Sequence, residues 1–267
     1  MTDRREDMTT LPLSGISGRA TGPMLFISDL HLAPERPRPV ELFHHFVDTV
    51  APGAGGLFIL GDFFEAWVGD DELGVPFNAT IVAALRRLAD SGVPLYFLPG
   101  NRDFLIGATF AQAANLTLLP DPVTLDLFGA LTLLSHGDLF CTDDAAYQAF
   151  RAQVRNPAWQ AGFLAQPLAE RQALAKSLRE RSERAKADKT PEIMDVNPTA
   201  VLAAIHAHGV ARLIHGHTHR PARHEIRIGE KTVERWVLPD WYETGGYLRC
   251  DASGCRPLDL SLSVGLS

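Results

Sequence analysis

The sequence is poor in cysteine, with three in 267 residues (Cys141, Cys250 and Cys255). An odd number without zinc-type or framework spacing argues against a thiolate metal site or a disulfide scaffold, and fits a reducing cytosol. Positive charge is not in excess: 25 Lys and Arg against 32 Asp and Glu give a net charge of −7. That balance argues against coating nucleic acid by phosphate neutralisation, while leaving room for one phosphorylated ligand held by local cations. No uninterrupted apolar run is long enough to span a bilayer. The first 23 residues lack the apolar stretch of a secretory signal and are expected to form a mobile tail, with the folded chain starting near Met24. What remains is ordinary globular composition, 46% apolar and 21% charged, in a length that suits one α/β domain with insertions or two small domains. Nothing in it implies an obligate protein partner.

One pattern then recurs five times. MLFIS leads into Asp29-Leu-His31, GLFIL into Gly61-Asp62, LYFLP into Gly100-Asn101, LTLLS into His136-Gly-Asp138, and RLIHG into His217-Thr-His219. Short continuous apolar runs separated by helical segments predict strands covered on both faces. Between two of them, Ala79 to Ala89 is amphipathic at helical spacing and stops at Ser-Gly-Val-Pro, a helix end. An extended chain would place Asp29 and His31 on one face, where either a metal ion or a plain Asp–His hydrogen bond would satisfy them. Each motif alone is also compatible with a turn. Turn chemistry does not require every strand to end in Asp, Asn or His, so the conjunction points to one metal site at the strands' carboxyl ends.

The inventory is Asp29, His31, Asp62, Asn101, His136, His217 and His219. Seven ligands exceed one ion's needs and suit two ions sharing a carboxylate. Oxygen and imidazole donors without thiolate favour Mn²⁺, Fe, Co²⁺ or Zn²⁺. Paired ions about 3.5–4 Å apart lower the pKa of a shared water and clamp a phosphoryl centre, so the spacing predicts hydrolysis of a phosphate ester or anhydride.

The motifs DLH, GDFFE, GNRD, SHGD and HGHTH resemble those of the calcineurin-like metallophosphoesterases, in the same order over Asp29 to His219. The resemblance implies a four-layer α/β/β/α sandwich of two mixed sheets. It also implies one ion on Asp29, His31, Asp62 and His219, and another on Asp62, Asn101, His136 and His217. Many members carry GNH where this chain has Arg102. A guanidinium cannot donate a proton at neutral pH but can fork onto phosphate oxygens, which favours a phosphoanhydride whose leaving group needs no protonation.

The longer stretches LGDFFEAWVGDD, GNRDFLIG, HGDLFCTDDAAYQAFR, IMDVN and LIHGHTHRPA are similar to the UDP-2,3-diacylglucosamine diphosphatases of lipid A biosynthesis, from about Met24 to Trp241. That family implies a Mn²⁺-dependent cytoplasmic enzyme, peripheral on the inner membrane. Its metal-bound hydroxide would attack the α-phosphate of UDP-2,3-diacylglucosamine to give UMP and 2,3-diacylglucosamine 1-phosphate (lipid X). Residues 24–140 and 198–267 would form the core, and 141–197 a helical cap. Catalytic roles would fall on Asp62, Asn101, Arg102 and His136. Substrate contacts would fall on Asn101, Arg102, Asp144, Ser182, Lys186, Lys189 and His217, with Arg179 a further phosphate contact.

By composition alone the cap is an amphipathic insertion with a solvated basic face. With the resemblance, its interior (Tyr147, Phe150, Val154, Trp159, Phe163, Leu164, Leu174 and Leu178) takes acyl chains. Its cations, Arg151, Arg155 and Arg171 among them, then face sugar phosphate or anionic headgroups. Glu65 and the Asp70-Asp71-Glu72 run are either hydrogen-bond anchors for ligating histidines or surface acids. Asp138 is placed to orient His136. His44, His45, His206, His208, His215 and His224 are read as structural or surface residues, and Cys141 as a buried small one. Two rival readings are a soluble nucleotide or phosphomonoester substrate and a non-catalytic metal-binding module.

Overall fold

The computed structural model describes residues 22–187 and 193–260; the expected tail and Lys189 lie outside them or largely so. Four parallel strands, β1 (Met24–Ile27), β2 (Gly56–Ile59), β3 (Leu95–Phe97) and β4 (Thr117–Leu118), form the body of the first sheet. The second contains β5 (Val123–Leu127), β6 (Ala130–Leu134), β7 (Arg212–His215), β8 (Ala222–Ile228) and β9 (Lys231–Val237). The chain returns to the first sheet with β10 (Gly245–Asp251) and β11 (Gly254–Leu260), giving the orders β11-β10-β1-β2-β3-β4 and β5-β6-β7-β9-β8. Both sheets are mixed, with antiparallel pairs at their margins. All five apolar runs before the ligand motifs are therefore strands, three in one sheet and two in the other.

Their unbroken apolar character follows from burial on both faces, with side chains alternating between two cores. On β1 and β2, Leu25, Ile27, Leu57 and Ile59 pack toward helices α1 (Pro37–His45), α2 (Pro76–Asp90) and α3 (Ala108–Ala114). Phe26 and Phe58 point the other way, where Leu134, Ile214 and Trp236 of the second sheet meet them. Phe26, Phe58 and Tyr96 stack across neighbouring strands at 4.9 and 4.6 Å. Truncating Phe58 to Ala would cost about 3–5 kcal/mol, since it is fully buried in that stack. Beyond the second sheet, Leu133, Leu213 and Val233 pack on Val201 and Ile205 of α7 (Pro198–His208). The layers are thus α/β/β/α, as the motifs implied.

Helix α2 contains the predicted amphipathic segment, buries Ile81, Val82, Leu85 and Leu88, and is followed by Gly92 at φ 99°. Strand β11 is one of the two edge strands of its sheet. Hairpin register places Cys250 opposite Cys255, and the two form a disulfide. This corrects the expectation drawn from cysteine spacing: a local cross-strand pair needs only hairpin register, with no framework. Cys141 is buried and free, as expected.

Between the fourth and fifth motifs lie α4 (Ala145–Val154), α5 (Pro157–Leu164) and α6 (Leu168–Ala187). Several of their cations face the core, which corrects the expectation that they meet headgroups. Arg155 donates to the carbonyls of Pro99 and Gly100 at 3.3 and 2.8 Å, and Arg151 pairs with Asp138 at 2.8 Å and Asp121 at 3.4 Å. Arg171 is 2% exposed and donates to the carbonyls of Gln166 and Val68 and to the Asp71 carboxylate. Guanidinium groups so placed tie the helices down.

Candidate active site

The first, second and fifth motifs leave their strands through left-handed turns rather than continuing extended. Among the described residues, the non-glycine positions with positive φ are Asn115, Phe128 and five predicted ligands: Asp29 (57°), His31 (50°), Asp62 (50°), His217 (68°) and His219 (53°). The left-handed region costs on the order of 1 kcal/mol per residue, strain of a kind concentrated at functional sites. Asp29 and His31 therefore converge through two left-handed turns, and the expected sharing of a strand face is corrected: β1 ends at Ile27. Likewise β7 ends at His215, which does not share a face with His217 and His219. It is buried, hydrogen-bonded through Nδ1 to Gly216 O, and pushed down to about 3 by burial.

The glycines of these motifs allow the loops to touch. A Cβ on Gly100 would collide with the backbone N and the carboxylate of Asp62, and one on Gly216 with Ser28 and Asp29. The turns bring the ligating atoms into two groups, Asp29, His31 and His219 in one, Asp62, His136 and His217 in the other. Asp62 lies between them, with Oδ2 3.9 Å from His31 Nε2 and Oδ1 3.6 Å from His136 Nε2. Asn101 Oδ1 is 2.9 Å from the same His136 nitrogen. All seven predicted ligands meet here.

The donor set fits a pair of divalent cations. Asp29 Oδ2 is committed to Ser28 Oγ (2.6 Å) and the His217 N–H (2.9 Å). Its Oδ1 is buried without a hydrogen bond, 3.4 Å from His219 Nε2. His136 donates from Nδ1 to Leu60 O at 2.9 Å, which turns the Nε2 lone pair into the site. Burial works against the charge on His136, yet Asp62 and Asp29 outweigh it and raise its pKa to about 9. Burial likewise opposes ionisation of Asp29, but His219, His136 and His31 hold its carboxyl well below the usual range. Burial, reinforced by His136, drops His217 to about 4, so that ring is neutral and able to ligate. Two buried carboxylates that draw a proton onto an imidazole mark a place made for positive charge.

Supporting residues were only partly foreseen. Asp103, fully buried, accepts from the backbone N–H groups of Asp62 (3.3 Å), Phe63 (2.7 Å) and Gly100 (2.8 Å), stapling two motif loops together. An acid inside the apolar stretch RDFLIG was the available signal. Glu65 lies behind His31, its Oε2 3.1 Å from Nδ1 without forming a hydrogen bond there. The following acids do not reach a ligating histidine. Asp70 accepts from Gly107 and Phe110 N–H at the start of α3, Asp71 pairs with Arg171, and Glu72 accepts from Val68 N–H and Gln172. Asp138 does not orient His136; it accepts from Tyr147 Oη at 2.7 Å and Arg151 Nε at 2.8 Å. Tyr147 in turn stacks on His217 with centroids 5.9 Å apart. Tyr242 stacks on His31 at 5.4 Å, and nothing in its local sequence announced it.

Two cavities meet at this cluster. One of about 300 Å³ is lined by His31, Asp62, Asn101, Arg102, Asp144, Tyr147, Ser182, His217 and His219 among others. Asp144 also caps α4 by accepting from Tyr147 N–H at 3.1 Å. The second, about 600 Å³, shares Asn101, Arg102, Tyr147 and Ser182 with the first. It runs between the helices and the core along Phe104, Leu105, Phe150, Val154, Trp159, Phe163 and Leu178, with Arg179 on its wall. Lys186 is at the end of α6, and Lys189 is outside the described residues.

Residues 22–221 match the family model for calcineurin-like phosphoesterases. The chain belongs to that family. It is 53% identical over 245 residues to a UDP-2,3-diacylglucosamine hydrolase of Xanthomonas axonopodis pv. citri, covering 89% of this chain and 99% of the relative. A Stenotrophomonas maltophilia protein with the same name is 53% identical over 237 residues, covering 86% of this chain and 95% of its own. Similarity to these relatives extends through the helices between the fourth and fifth motifs. Among the described residues no helix is long and apolar enough to cross a membrane.

Proposed function

We propose that this chain hydrolyses the pyrophosphate bond of UDP-2,3-diacylglucosamine, with water adding to the α-phosphate, to give UMP and 2,3-diacylglucosamine 1-phosphate in lipid A biosynthesis. The observation that carries this reading is the apolar cavity opening onto the cluster of metal ligands and sharing Asn101, Arg102, Tyr147 and Ser182 with it. A soluble sugar nucleotide would gain nothing from a wall of Phe104, Phe150, Trp159 and Phe163. Two acyl chains would. The names of the relatives agree with this substrate.

One ion would be held by Asp29, His31, Asp62 and His219, the other by Asp62, Asn101, His136 and His217, with Mn²⁺ the physiological metal. Two divalent cations there supply a water of lowered pKa and neutralise charge on the phosphoryl group. The protein's own groups do the rest. Arg102 and Arg179 grip phosphate oxygens, and because a phosphate leaves readily, the absence of an acidic proton on Arg102 costs nothing. Asp144, Ser182, Lys186, Lys189 and His217 hold the sugar phosphate. Residues 141–197 act as the lipid-binding cap on a core of 24–140 and 198–267. The protein works at the cytoplasmic face of the inner membrane as a peripheral protein, taking its substrate from an anionic surface.

Turnover in H₂¹⁸O with Mn²⁺ tests the reaction directly. Label in UMP and none in the lipid phosphate is the expected product distribution. Label in the lipid phosphate would place attack on the other phosphorus, and no release of UMP would reject the substrate.

A further inference from the structure

Glu65 follows the second metal motif on the loop after β2, and its side chain is 16% exposed. Four groups close on its carboxylate. His31 Nδ1 is 3.1 Å from Oε2, and Arg36 Nη1 is 3.5 Å from the same oxygen. On Oε1, Arg102 Nη1 lies at 3.5 Å and Arg179 Nε at 3.3 Å. These come from four different places: the first motif, the segment before α1, the third motif, and α6. Arg36 also donates to His31 O at 3.2 Å and lies over the Tyr242 ring at 4.2 Å, and that ring stacks on His31. The imidazole thus has the Glu65 carboxylate against Nδ1, short of hydrogen-bond geometry, with Arg36 on its backbone carbonyl and Tyr242 against its ring.

We propose that Glu65 is a positioning residue that couples the first metal position to the phosphate grip. One carboxylate oxygen sits 3.1 Å from Nδ1 of His31 and favours the tautomer protonated there, which leaves Nε2 free for the ion, and the other holds Arg102 and Arg179 beside the lipid cavity. A carboxylate behind a ligating imidazole fixes its tautomer and raises its basicity, and its loss costs 10–100-fold in metal affinity. Two guanidinium groups brought together without a counter-charge repel, so the same carboxylate keeps both within reach of one phosphate. Arg179 is contributed by α6, so that helix and His31 meet on a single side chain. The part concerning the arginines rests on the reading of them as phosphate contacts; the part concerning His31 does not.

Titration of the metal-depleted protein with Mn²⁺ alone, by calorimetry and by electron paramagnetic resonance, separates the two parts. In E65A one of two Mn²⁺ sites weakens 10–100-fold while the second keeps its affinity, and the exchange-coupled spectrum of the pair is lost at limiting metal. In E65Q, whose amide oxygen still accepts from His31, both sites return to within about threefold of wild type. With UDP-2,3-diacylglucosamine, saturated with Mn²⁺, E65Q raises KM severalfold because its neutral amide no longer holds Arg102 and Arg179. Unchanged binding of both ions in E65A, or equal weakening of both, overturns the His31 part. Unchanged KM in E65Q overturns the arginine part. Should the substrate be another phosphate compound, the Mn²⁺ titrations still read out Glu65, and Glu65→Met, which fills the same space without an acceptor and is expected to weaken one site 10–100-fold, gives that reading if E65A fails to fold.

Discussion

Replacing Arg171 by Met removes the cation that ties α6 to the loop after β2, without touching the metal cluster. Arg171 is 2% exposed, donates from Nε to Gln166 O at 2.9 Å, and reaches Val68 O and Asp71 with its terminal nitrogens. Gly69, at φ 141°, lets the guanidinium lie against the backbone there. Leaving two carbonyls unpaired costs about 1–3 kcal/mol each. The Asp71 side chain is 51% exposed, so solvent screening limits that pair to about 1 kcal/mol or less. Methionine recovers part of the loss by burying apolar volume and ending the burial of a cation. The net is about 2–4 kcal/mol, which at roughly 2–4 °C per kcal/mol lowers Tm by about 4–16 °C. Scanning fluorimetry reads this, with Arg86→Met as control, since Arg86 is half exposed and, among the described residues, pairs along its helix with Asp90. Mn²⁺ stoichiometry stays at two, while KM for the lipid substrate rises. A Tm within about 1 °C of wild type would refute the view that Arg171 anchors the cap.

Three other perturbations separate the parts of the site. Asp103→Asn opposes an amide N–H₂ to backbone donors, lets the Asp62 loop shift, and lowers kcat and metal affinity by about 10–100-fold, as steady-state kinetics and Mn²⁺ titration would show. Trp159→Ala opens the lipid cavity and raises KM for the diacylated substrate about 10-fold, with Mn²⁺ binding unchanged. In metal-free protein His136 has a folded pKa of about 9 against 6.5 unfolded, so its protonated form stabilises the fold by about 3 kcal/mol below pH 6.5, and that stability is lost as pH rises to 9. Thermal scans of chelator-treated protein across pH 6–9 should show the loss. Saturating Mn²⁺, which requires the neutral imidazole, should remove this dependence and release a proton on binding near pH 7.5.

The strands were legible because burial on both faces leaves no polar position to interrupt the runs from Met24, Gly56, Leu95, Leu131 and Arg212. The residues of the cluster were legible because each such run ends in Asp, Asn or His. What brings them together was not, since extended spacing suggested a shared strand face where the chain uses left-handed turns at Asp29, His31, Asp62, His217 and His219. Asp103 and Tyr242 escaped notice for a different reason: the groups they join lie far away in sequence, and their neighbours carry no periodic signal. The cap illustrates the limit of composition. Its interleaved cations looked like one solvated face, yet Arg151, Arg155 and Arg171 turn inward onto Asp138, Gly100 and Val68.

The most direct test compares kcat/KM for UDP-2,3-diacylglucosamine with that for the same UDP-sugar lacking both acyl chains, at saturating Mn²⁺. If the cavity of about 600 Å³ beside the metal ligands holds the lipid, removing the chains forfeits at least about 4 kcal/mol of apolar burial, and the ratio exceeds about 10³. A ratio near one, with robust turnover of the unacylated compound, would contradict the account.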